Sequence, residues 1–190
     1  MKIRLAAPVI ALAMWTGLAH ADAVSDALNA AQEAYAKGEL GQTAAQVTTA
    51  ARAVQALQQE RLARALPQPT EGWTMTQGEN GAGAMGLFGG AVGTIADATY
   101  SHDDGRSFTL TLTADSPVVA SMAGILGNPQ MMAMMGKVVK VGATEMLDQD
   151  GSLSALVANR VLVQAQGSSV EDMATILSAM DFDVLARFDQ

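Results

Sequence analysis

Cysteine is absent from the 190 residues, so no disulfide can staple the fold and its stability has to come from a packed core. Basic residues are few, 11 against 19 acids, and they are scattered. Phosphate backbones are held by clustered Lys and Arg, so no nucleic acid is expected as a partner. Histidine occurs only at His20 and His102, and no HExxH, CxxC or phosphate-loop motif is present. Nucleophilic catalysis needs an activated Ser, Cys or Thr beside a base. His102 is the one imidazole in the body of the chain, and it reads as a solvated turn residue. Asp103-Asp104 and Asp181-Asp183 are neighbours at exposed ends, where ionised acids are expected anyway. The expectation is therefore a protein that is not an enzyme, with no cofactor and no metal. Acids brought together from different elements are the one catalytic arrangement the sequence leaves open.

What is present begins with an address. Lys2 and Arg4 precede an apolar run from Leu5 to Leu18, and Ala19-His20-Ala21 is small at both positions a signal peptidase reads. Residues 1–21 are read as a cleaved secretory signal and the protein as periplasmic. Beyond them no apolar run reaches the ~18 residues of a membrane span, so no transmembrane segment is expected after cleavage. Cleavage leaves nine basic against nineteen acidic residues, a net charge of −10.

The clearest local signal is a hairpin. Phe108, Leu110, Leu112 and Ala114 alternate with Ser107, Thr109, Thr111 and Thr113, the pattern of a half-buried strand. A two-residue loop at Asp104-Gly105 would set Tyr100 against Thr109. A three-residue loop, Asp103 to Gly105, pairs Tyr100 with Phe108, Ala98 with Leu110 and Ala96 with Leu112, apolar against apolar. Gly105 then takes the left-handed position such a loop requires. This hairpin, with Val92 also on its inner face, is expected at the centre of a sheet.

From Asp22 to Leu66 the chain is Ala-rich and helical, broken at Lys37-Gly38-Glu39. Val24, Leu28, Ala31 and Tyr35 form one apolar stripe; Leu40, Ala44, Val47, Ala51 and Val54 form another. Residues 22–66 are read as a helical hairpin, through which a homo-oligomer can form. Pro67-Gln68-Pro69 ends it, residues 67–71 are a linker, and residues 72–190 are an α+β domain. That domain opens with a short strand holding Trp73 and Met75 on one side.

Gly81-Ala82-Gly83-Ala84-Met85-Gly86 matches GxGxxG but lacks the flanking strand and helix of a dinucleotide site. The Gly-rich stretch from Gln77 to Gly93 is read as a flexible entry to the sheet, and Leu87 and Phe88 within it as candidate apolar contacts. Ser116-Pro117 and Asn128-Pro129 are helix starts, and Gly136 is a helix stop. Between them lie Met131, Met132, Met134 and Met135. Thioethers are soft ligands suited to Cu(I), and Met131, Met134 and Met135 are the set that helical spacing brings closest. With no His or Cys beside them, the four are read as a deformable apolar surface. Leu87, Phe88, Met131, Met132, Met134 and Met135 thus make up the candidate apolar interaction surface.

Lys137 to Leu147 and Ser152 to Gln166 supply further strands, with Asp148 to Ser152 a turn and not a calcium loop. Ser168-Ser169-Val170-Glu171 reads as a capping box for a closing helix with Val170, Met173, Ile176, Leu177 and Met180 on its buried stripe. The whole is an α+β protein with an N-terminal helical hairpin and an antiparallel sheet of about five strands with flanking helices. The helical pair ending in Leu66-Pro67, Gly72-Trp73, Ala114-Asp115-Ser116-Pro117, Asn128-Pro129 and Val157-Ala158-Asn159-Arg160-Val161 together resemble a family of uncharacterised proteobacterial secreted proteins. The element order is also similar to the Mog1/PsbP-like sandwich. Neither resemblance implies an activity or a site. The function expected is a non-catalytic periplasmic binding or assembly accessory of the cell envelope, its partner an envelope protein or apolar ligand. The alternatives are a carrier of a lipid-like ligand and a small enzyme with a carboxylate site.

Overall fold

Strands β2 (Thr94–His102) and β3 (Ser107–Ala114) pair antiparallel with Tyr100 opposite Phe108, Ala98 opposite Leu110 and Ala96 opposite Leu112. The loop between them is the three-residue one, with Gly105 at φ 93°. This register was decided by which residues had to share the buried face. The computed structural model describes residues 16–78 and 93–189, with side chains from residue 22 onward, and Val92 lies outside those residues. The chain divides into two compact units, Met1–Leu57 and Gln58–Gln190.

In the first unit, helix α1 (Thr16–Ala36) is joined to helix α2 (Leu40–Ala63) by a short turn at Gly38, and the unit boundary falls inside α2. Its buried positions are Ala27, Ala31, Ala34 and Ala50. Of the expected stripes, Leu28, Tyr35, Leu40, Val47 and Val54 instead face solvent. Alanine permits close approach without a bulky side chain to accommodate, so the large apolar residues are left outside.

The second unit is built on a seven-stranded antiparallel sheet, two strands more than the expected five. Its order is β1-β2-β3-β7-β6-β5-β4, with β1 (Trp73–Gln77), β4 (Lys137–Val141), β5 (Thr144–Gln149), β6 (Ser152–Val157) and β7 (Val161–Gln166). One of the two extra strands arises because Lys137 to Leu147 is two strands and not one. Val141 pairs with Thr144 across a two-residue loop whose first residue, Gly142, has φ 60°, as a type II′ hairpin turn needs. Asp150-Gly151 and Ala158-Asn159 have positive φ at both residues; the first pair makes a two-residue loop between Gln149 and Ser152, and the second, with Arg160, a three-residue loop between Val157 and Val161. The β2–β3 hairpin is consequently not central; β7, flanked by β3 and β6, is the middle strand.

The register sorts side chains onto two faces. One carries Ala98, Tyr100, Phe108, Leu110, Leu112, Val163, Ala155, Leu153 and Met146, each fully buried leucine being worth about 1.5–3 kcal/mol. It is packed by Leu62, Ala65 and Leu66 after the unit boundary and by helices α5 (Val170–Leu177) and α6 (Phe182–Ala186), through Met173, Ile176, Leu177 and Leu185. The closing segment is thus two short helices, because Asp181 caps a fresh start by accepting from the Asp183 and Val184 amides. The other face carries Leu147, Leu156 and Leu162 under helices α3 (Pro117–Leu126) and α4 (Pro129–Met135), which contribute Val119, Leu126 and Met132. Both proline helices start as expected. Ser116 accepts from the Val119 amide and Asn128 from the Gln130 amide.

Arg160 fastens the far end of this unit. Its guanidinium donates twice to Asp115, at 3.0 and 2.6 Å, and once to the Phe188 carbonyl at 3.0 Å. One fork therefore ties the end of β3, the start of β7 and the C-terminal segment together.

Candidate interaction surface

The four methionines of α4 do not share one environment. Helical steps of ~100° place Met131, Met134 and Met135 within one arc of about 100°, with Met132 about 60° beyond its Met135 edge. Met132 is 4% exposed and enters the core over Leu147 and Leu162, whereas Met131, Met134 and Met135 are 38, 81 and 43% exposed. The helix is fixed beneath them by the Asn128 cap, by Met132 itself and by the bond from the Gly136 amide to the Met132 carbonyl. Leu87 and Phe88, the other two candidate contacts, lie outside the described residues.

The helical hairpin was expected to pack on the domain or on a partner, but its exposed residues were not among the six candidate contacts. Leu28 and Tyr35 stand seven residues apart on α1; Leu40, Val47 and Val54 stand seven apart on α2. Seven residues are nearly two turns, so each row is one stripe along its helix. The stripes themselves were legible in the sequence. That they face outward was not.

A polar cluster forms where the β2–β3 hairpin meets α5. Arg106 bonds Asp104 at 2.8 Å through Nε and Asp172 through Nη1, and its guanidinium lies 5.6 Å from the centre of the Trp73 ring. His102 Nδ1 is 2.9 Å from Asp104 Oδ1, and its ring meets Trp73 edge-on at 5.1 Å. The box that opens α5 is displaced by one residue from the expected one. Ser169 is the cap, accepting from the Asp172 amide, and both Ser168 and Ser169 donate to Asp172 Oδ2 at 2.9 Å. Asp172 wins over Glu171 because it also reaches Arg106.

Two acids from different elements are thus brought together, as an enzyme would need, but their charges are settled by the cation between them. The Arg106 amide and guanidinium hold Asp104 down to about 2, and Arg106 with the two serines lowers Asp172. Carboxylates held ionised so far below neutrality are struts and not proton carriers at pH 7. A depressed carboxylate stabilises the fold above its unfolded pKa, and that contribution is lost as pH falls through the folded value. Thermal melts of the wild type should therefore drop between about pH 3.8 and about pH 2, with a shallower drop in Arg106→Gln. Parallel pH profiles for the two proteins would show that the cluster does not couple to stability.

Other local chemistry is sparse. Among the described residues, no three His, Asp or Glu side chains could hold a metal ion. Asp97 Oδ1 is buried without a hydrogen-bond partner among them, beneath Gly78, where a Cβ would lie 2.0 Å from Oδ2. An open concavity of about 350 Å3 has Ala65, Leu185 and Phe188 as its floor and Arg61, Arg64 and Arg187 at its rim, with Arg61 paired to Asp189 at 3.0 Å. No described helix is long and apolar enough to cross a membrane. Compared with known proteins, the chain matches no family model, no curated protein and no solved structure.

Proposed function

We propose that this chain is a non-catalytic binding or assembly accessory of the cell envelope, exported to the periplasm, which works by offering apolar surface to a protein partner. The observation that carries the reading is the exposure of Leu28, Tyr35, Leu40, Val47 and Val54, from 41 to 68%. An apolar stripe repeating every seven residues is what one helix offers another. Leaving five such side chains in water has no benefit for the isolated fold, whereas covering them on binding is favourable. The partner is an envelope protein or a second copy of the chain. Membership of the proteobacterial secreted family, and a Mog1/PsbP-like kinship for the sheet with helices on both faces, belong to the same proposal.

The test places a photo-cross-linking residue at Leu40 in intact cells. A discrete adduct is expected, and Val47→Glu on the same stripe should abolish it while the circular dichroism of the purified protein is unchanged. Recovery of unlinked monomer alone would sink the reading.

A carrier of a lipid-like ligand is the second reading, favoured by the concavity whose apolar floor and arginine rim suit an acidic amphiphile. Native mass spectrometry after gentle purification should then reveal a co-purifying small molecule. A bare chain mass would remove this alternative.

A further inference from the structure

We propose that Met131, Met134 and Met135 form a thioether site for a soft monovalent ion, Cu(I) by its chemistry, on the solvent side of α4. This inference is independent of the partner-binding role assigned to the helical stripes.

The division of labour among the four methionines is what argues for it. A methionine that fills a gap in a core is ordinary, and Met132 does so at 4% exposure. The other three do no such work. Met134 is 81% exposed, where any polar residue would serve the fold better. The three that face outward are the i, i+3 and i+4 set. Side chains at these separations start about 5–6 Å apart on one helix face, and each carries its sulfur on a flexible unbranched stem. Three neutral sulfurs can therefore close around one ion without moving the backbone.

The chemistry selects the ion. Thioethers are soft, weakly basic donors that favour Cu(I) over hard or borderline cations. The helix gives the donors a prepared base, because its start is capped by Asn128 and its inner side is anchored by Met132. The donors stay neutral, so the ion brings its full positive charge to an exported chain of nine basic and nineteen acidic residues, whose negative charge raises the ion's local concentration.

The experiment uses the full exported chain and two probes: Ag(I), a redox-inert d10 ion, by calorimetry in chloride-free buffer, and Cu(I), by anaerobic competition with a chromophoric chelator. One ion per chain is expected. Of the ten methionines that remain once Met1 and Met14 leave with the signal, those at positions 131, 134 and 135 should be the ones whose methyl NMR signals shift, with Met132 unmoved. The triple variant Met131→Leu, Met134→Leu, Met135→Leu keeps the apolar volume and the helix, and should bind at least about tenfold more weakly. Met132→Leu should bind as the wild type does. Equal binding by the triple variant, shifts confined to other methionines, or no uptake by the intact chain would each overturn the proposal. Because leucine preserves apolar area, the triple variant should still yield the Leu40 cross-link, so failure here is separable from failure of the proposed function.

Discussion

Replacing Tyr100 by alanine is expected to cost about 3–5 kcal/mol of stability, the range for removing a large aromatic from a close-packed core. Tyr100 is fully buried, stacks on Phe108 with centroids 4.8 Å apart, and faces Phe108 across the β2–β3 register. Phe108 in turn meets Trp73 edge-on at 5.4 Å. Aromatics are only 4% of the chain, and three of them stack in a row here, so truncating Tyr100 strips Phe108, the middle ring, of one of its two partners. The phenol adds a polar element. Its hydroxyl donates to the buried Pro67 carbonyl at 2.7 Å, and burial pushes its pKa up. Tyr100→Phe keeps the ring but strands that carbonyl, at a cost of about 1–3 kcal/mol. Denaturant midpoints should therefore fall in the order wild type, Tyr100→Phe, Tyr100→Ala. Equal midpoints for wild type and Tyr100→Phe would mean that the Pro67 carbonyl has another donor.

The second large effect comes from the smallest possible change. Adding one methyl group at Gly93 puts a Cβ 1.9 Å from the Ala114 carbonyl oxygen and 2.7 Å from the Ser116 Cβ. Neither neighbour can yield cheaply. Ala114 is locked into the sheet opposite Thr94 and Val161, and Ser116 caps α3. Gly93→Ala should destabilise by about 1–3 kcal/mol, as overpacking does. Gly124, inside α3, is the internal control: a Cβ there meets nothing within 4 Å, and alanine should stabilise the helix by about 0.5–1 kcal/mol. The same substitution is thus expected to change sign between two glycines 31 positions apart. A neutral Gly93→Ala melt would show that the start of β2 can slide away from β3.

Of the glycine-rich stretch only the ends are described, residues 79–92 lying outside the described residues. A glycine-rich stretch reads as a flexible entry by composition alone, yet Gly78 and Gly93, at either end of it, are small because another chain segment occupies the space a side chain would need. Composition cannot separate these two reasons for glycine, since the obstructing atoms belong to Asp97 and Ala114, which are distant in sequence.

Local chemistry was legible wherever it was self-contained. The β2–β3 register followed from the requirement that apolar residues share a face, and the three-residue loop from the position of Gly105. The starts of α3 and α4 followed from a cap beside a proline, and the buried stripe of α5 from its spacing. Errors came where a local signal had several partners to choose among. Lys137 to Leu147 read as one segment because a type II′ turn at Gly142 needs only one unusual residue. The cap of α5 shifted by one residue because Arg106, far away in sequence, favours Asp172 over Glu171.

The α+β class, the helical pair, the hairpin register, and the acidic, cysteine-free character that leaves stability to a core each depend on period, turn chemistry or composition, which the chain carries residue by residue. Packing of the whole chain was needed to make β7 the middle strand, to send Met132 inward while Met131, Met134 and Met135 stay out, and to leave the large apolar residues of α1 and α2 facing solvent. Periodicity says which residues lie on one side of an element, but which side is buried depends on what packs against it, and that is a property of the whole fold.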